Sequence, residues 1–109
     1  MSRKIEFDYE KEHYVLEYNR EAIKYIEQQG FVIGEVETKP ATMIELAFRG
    51  AFFKNHKDIS INKVNEIFDN IGDKTSLSSN LMAMIGETYN TLLDKNAKNS
   101  EKNITWKVV

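Results

Sequence analysis

The stretch from Ala41 to Lys54 constrains the fold more than any other part of the chain. Met43, Ile44, Leu46, Ala47, Phe48, Ala51, Phe52 and Phe53 leave it apolar nearly all round, and its only charges are Glu45, Arg49 and Lys54. A helix that is hydrophobic on most sides must be surrounded by other elements. At this length it falls short of the ~20 apolar residues of a membrane span, so the expected place for it is the centre of a small globular core. Pro40 suits the first turn of such a helix, where a missing N–H costs nothing. Gly50 inside it costs up to ~1 kcal/mol against alanine, which suggests the close approach of another backbone.

The flanking segments supply what covers it. Ile5, Phe7 and Tyr9 alternate with Lys4, Glu6 and Asp8; after Glu10-Lys11-Glu12, Tyr14, Leu16 and Tyr18 alternate with His13, Val15 and Glu17. Period-2 runs across a short polar break read as a β-hairpin with one apolar face. The break has no Asn-Gly or Asp-Gly pair, so the turn type stays open. Asn19 is a good N-cap for a helix over 20–29 with Ala22, Ile23 and Ile26 on one face, closed by Gly30. Phe31-Val32-Ile33 is either a third strand or an extended connector that plugs the core, and 34–39 reads as loop.

Ser60 caps a third helix with the stripe Val64, Ile67, Phe68 and Ile71, closed by Gly72. Ser76 is the candidate cap of the last and longest helix, with the stripe Leu77, Leu81, Met84, Ile85, Thr88 and Leu92, widened by Met82, Tyr89 and Leu93. The expected architecture is α+β and predominantly helical: an N-terminal hairpin followed by about four helices, forming a single domain over 1–95. Residues 96–109 are a polar linker, rich in Lys, Asn, Ser and Glu, and a short apolar tail, Ile104-Thr105-Trp106-Lys107-Val108-Val109.

Charge and composition narrow the function. The 109 residues carry 15 basic and 17 acidic side chains, net −2, interspersed rather than clustered. Nucleic-acid binding rests on a concentrated basic surface, so no nucleic-acid partner is expected. There are no cysteines, which excludes disulfides, zinc–thiolate sites and thiol nucleophiles. No signal peptide or membrane span is evident, so a cytoplasmic setting without membrane attachment is expected.

Chemistry-bearing patterns are sparse. His13 and His56 share no metal-ligand spacing and read as solvated surface histidines. Glu10, Glu12, Glu66 and Asp69 read as solvated charged faces, and the five isolated glycines form no phosphate-binding loop. Neither catalytic residues nor a metal or other cofactor is expected; a protein-binding role is. Its candidate residues are Met82 and Tyr89 on the last helix and Trp106 and Val108 in the tail. Methionine is adaptable at binding surfaces, and tryptophan is enriched among interface hot spots. The tail is suited to adding as a strand to another chain's sheet, or to folding back onto its own hairpin as a third strand. Apolar residues on several faces are also compatible with a homo-oligomer.

Several short segments in order carry a resemblance: Asn19-Arg20 after the hairpin, Glu27-Gln28-Gln29-Gly30-Phe31, Lys39-Pro40-Ala41-Thr42-Met43, Gly50-Ala51-Phe52 and Thr105-Trp106. Over most of its length the chain resembles small tail-module proteins of phages and prophages of Gram-positive bacteria. The resemblance implies a tail assembly chaperone in the cytoplasm of a bacterial host. Such a protein keeps the tape measure protein soluble and brings it the tail-tube subunits formed by the major tail protein. It implies no catalytic residues. The alternatives are a structural virion component, such as a head–tail connector or tail completion protein, and a small phage regulator.

Overall fold

The computed structural model describes residues 3–92 together with Lys107 and Val108. Within them the chain forms a hairpin of β1 (Ile5–Tyr9) and β2 (Glu12–Leu16), then α1 (Arg20–Gln28), a 3-10 turn (Ile33–Glu35), α2 (Pro40–Ala51), α3 (Ile61–Asn70) and α4 (Lys74–Leu92). This is the α+β, mostly helical order that the periodicities imply. The expected linker and the Trp106 position lie outside the described residues.

The two strands pair antiparallel, with Phe7 opposite Tyr14 and Tyr9 opposite Glu12. Glu10 (φ 50) and Lys11 (φ 69) alone connect them, both left-handed. Two such residues make a type I′ turn, whose twist suits a hairpin. Neither is glycine or asparagine, and each costs about 1 kcal/mol in that conformation. Bonds to α3 hold the turn: Lys63 Nζ lies 2.6 Å from Glu10 Oε1, and the Tyr9 hydroxyl donates to Glu66 Oε2 at 2.7 Å.

Asn19 caps α1 by accepting the Ala22 N–H, and Ser60 caps α3 by accepting that of Lys63. Gly30 has φ 106, and the bonds Gly30 N–H to Glu27 C=O and Phe31 N–H to Ile26 C=O close α1 with a Schellman motif. That motif turns Phe31 into the core, 3% exposed, while Val32 and Ile33 stay about half exposed. The segment is therefore a connector plugged by one ring, not a strand. At the start of α4 the capping acceptor is Asp73 rather than Ser76: its carboxylate takes the Ser76 N–H at 3.3 Å. Asp73 (φ 49), not Gly72, is the left-handed residue of that connection.

α2 occupies the centre, as its composition demands, though it ends at Ala51 rather than Lys54. Phe48, Ala47 and Ala51 are fully buried, and α1, α3 and α4 all pack on it. The close approach expected at Gly50 exists, but the neighbour is a side chain: a Cβ there would collide with Cγ2 of Ile26 on α1. That methyl sits on a β-branched carbon and cannot swing clear. Gly50→Ala is therefore expected to lower stability by about 1–3 kcal/mol through overpacking, outweighing its helix-propensity gain. A urea titration that found the variant more stable would contradict this packing.

Two residues expected on solvated faces are drawn inward by the link between α2 and α3. His56 is half-buried; its Nε2 accepts the Val15 N–H at 3.0 Å, and its ring lies 5.1 Å from that of Tyr14. Glu17 is only 7% exposed. Its carboxylate accepts from Asn55 Nδ2 at 2.9 Å and Lys54 Nζ at 3.0 Å, while its N–H donates to Ala51 C=O. Asn55 also donates to the Val15 C=O at 3.1 Å. The end of α2 and the residues after it thus satisfy the outward backbone groups of Val15 and the N–H of Glu17, so His56 and Asn55 serve as fasteners for this end of β2.

Candidate partner-binding cleft

Where α2 ends and the chain turns toward α3, four pieces of structure leave an apolar cleft of about 120 Å³. Tyr25 of α1 stacks on Phe53 with ring centroids 5.1 Å apart. Phe52 and Val64 form its buried side, and Ile59 and Ile61 the side nearer solvent. Ile61 continues the α3 stripe one turn beyond the core and is left 54% exposed. Lys57 Nζ lies 5.3 Å above the Phe53 ring, a cation–π contact that leaves a positive charge on the rim. Arg49 forms one wall, with Nη2 donating to Glu45 Oε1 at 2.7 Å. Its Nε–H is buried beneath the wall with no partner among the described residues, a local cost of about 1–3 kcal/mol.

A larger cleft of about 350 Å³ lies between α4, the start of α1 and Arg3. Its lining mixes polar groups with Tyr18, Met84 and Leu92, and two of its cations are matched: Arg3 pairs with Glu87 at 3.3 Å, and Lys54 with Glu17. Among the described residues no group of His, Asp or Glu is arranged to hold a metal ion. No helix there is long and apolar enough to cross a membrane.

The residues singled out from the sequence are placed differently from one another. Met82 and Tyr89 are half-buried and pack against the core from α4, two turns apart on one face. The Tyr89 hydroxyl donates to Glu27 Oε2 at 2.7 Å; burial and that bond push its pKa up to about 12. Val108 is 88% exposed, and Trp106 lies outside the described residues. The cleft escaped sequence reasoning because its walls come from four separate segments. The one local signal was Ile61, an apolar residue in register with the α3 stripe but ahead of its first buried member.

No curated protein and no solved structure matches the chain. A family model described as a domain of unknown function matches it from residue 1 to residue 109. The match spans every element described above, and the chain belongs to that family, DUF5055.

Proposed function

We propose that this protein is a binding module for an amphipathic helix of another protein and works as a phage tail assembly chaperone. The observation that carries the binding role is the apolar cleft rimmed by exposed Ile61 and by Lys57. A helix-in-groove contact needs a concave apolar strip for one or two anchor side chains, with polar groups at its border. Tyr25, Phe53, Ile59 and Ile61 supply the strip. Lys57 favours a client helix that carries acidic residues beside its apolar stripe, while Arg49 is already paired with Glu45.

The assignment of the client rests on the resemblance to tail-module proteins. A tape measure protein is long and helical, and it exposes amphipathic surface before assembly. A small carrier with an apolar cleft and a mixed-charge exterior suits it. The major tail protein is the second proposed partner, and the proposed setting is the host cytoplasm. In this role the protein performs no catalysis and holds no cofactor.

Co-expression with the tape measure protein of the same phage, followed by affinity capture, tests the proposal. The expected result is a soluble complex with the wild-type chain. Ile61→Glu is expected to weaken it about tenfold, because roughly 1.4 kcal/mol of apolar contact is lost from a site too exposed to affect folding. Equal capture by both chains would remove the cleft from the account. Recovery of the protein in purified particles would favour the structural-component reading instead.

A further inference from the structure

The two histidines of the chain meet the hairpin with opposite chemical demands. His13 Nδ1 lies 2.7 Å from Asp8 Oδ1, and its Nε2 lies 3.0 Å from Glu6 Oε1. Ionised carboxylates only accept, so both bonds are made only when both ring nitrogens carry protons. The bond to Asp8, with that to Glu6, pushes the His13 pKa up. At His56 the demand is reversed. Its Nε2 faces the Val15 N–H at 3.0 Å, and a backbone N–H only donates. The bond therefore requires a neutral ring with its proton on Nδ1. Protonation sets two donors head to head, and turning the ring over does not help, because the charged ring has no acceptor at either nitrogen.

His56 sits where such a break has consequences. Its half-buried ring lies 5.1 Å from that of Tyr14 and 6.2 Å from that of Phe52. It belongs to the link between α2 and α3, which gives Phe53, Lys57 and Ile59 as well as His56 to the apolar cleft. His56, Lys57 and Ile59 also border a more open hollow closed on its far side by Glu10 and Glu12 of the hairpin. The ring is thus part of a wall common to both.

The charged and titratable groups around these two spaces are Glu10, Glu12 and Tyr14 on the hairpin, Lys63 on α3, Arg49 on α2, Tyr25 on α1, and Lys57 and Asp58 in the link itself. The one hydrogen bond made by the His56 ring among the described residues is that from Val15. Histidine is the side chain whose ordinary titration falls between pH 5 and 8, so acid in that range acts on this wall through the imidazole.

We infer that His56 is a pH latch on the cleft: its protonation releases the link from Val15 and displaces the wall formed by Phe53, His56 and Ile59. As a control on client binding the latch rests on the role proposed for the cleft; the release itself does not.

The test is NMR on the full-length protein without a client, from pH 7.5 to 5. It follows the His56 ring nitrogens, the exchange protection factor of the Val15 amide, and the resonances of Phe53, Ile59 and Ile61. The protection is expected to fall about tenfold, the loss of one hydrogen bond, in step with the His56 ring and the cleft resonances. His56→Gln keeps an acceptor oxygen that does not titrate and is expected to lose that step. His56→Phe keeps ring packing without an acceptor and is expected to show the low protection at every pH. A Val15 amide that stays protected, or cleft resonances that stay still, while the His56 ring takes up its proton would overturn the inference. So would a ring still neutral at pH 5, or a step that survives in His56→Gln, which would belong to His13. Because no client is present, failure here leaves the client reading intact, and failure to capture a client leaves the latch intact.

Discussion

Phe52→Ala is expected to lose about 3–5 kcal/mol of stability, the range for removing a buried ring that its surroundings cannot refill. Phe52 is 1% exposed at the end of α2, where the hairpin meets the helices. Its ring centroid lies 5.1 Å from Phe48, 5.9 Å from Tyr14, 6.2 Å from His56 and 6.5 Å from Phe7, mostly edge to face. Such pairs contribute beyond their buried area. For a domain with about 5–15 kcal/mol in total, the variant falls near the limit of folding. Urea unfolding followed by far-UV circular dichroism measures the loss. A loss below about 1 kcal/mol would mean that hairpin and helices do not share one core.

Glu17→Ala is the second large effect, about 1.5–3 kcal/mol at pH 7, the worth of charge-assisted hydrogen bonds. Most of it belongs to the bond from Asn55. The Lys54 side chain is 40% exposed, so its attraction is screened. The Asn55 bond, with Lys54 behind it, holds the Glu17 carboxyl below its usual 4.5, although burial opposes the shift. A depressed pKa in the fold means stability that is complete above the unfolded value and lost as pH falls through the folded one. The gap between wild type and variant should therefore be constant from pH 7 to about 5 and close as pH falls below 4.5. A gap that widened in acid would contradict the arrangement.

The elements themselves were legible because each is written in a local period. Alternation around Phe7 and Tyr14, and the stripes through Ile26, Ile67 and Leu81, needed only neighbours within a turn or two. The caps at Asn19 and Ser60 and the left-handed Gly30 are also local signals. What escaped depends on partners far along the chain. Glu17 looks like any polar strand residue until Asn55, 38 positions later, arrives beside it. His56 looks like a loop residue until β2 offers it an N–H, and Gly50 gives no sign that its neighbour is Ile26. At Glu10-Lys11 local preference was overruled, since the turn is held in shape by Lys63 and Glu66 of α3. The cleft belongs with these non-local features, whereas the binding candidates on α4 and in the tail rest on local signals.

The most direct measurement is an NMR titration of the full-length protein with a helical peptide from the tape measure protein, chosen for an apolar stripe flanked by acidic residues. Saturable shift changes centred on Tyr25, Phe53, Lys57, Ile59 and Ile61, with little change at Met82 and Tyr89, are the result expected of a client helix in the cleft. Binding whose shifts are confined to α4 or the tail, or no shifts at any peptide concentration, would contradict it.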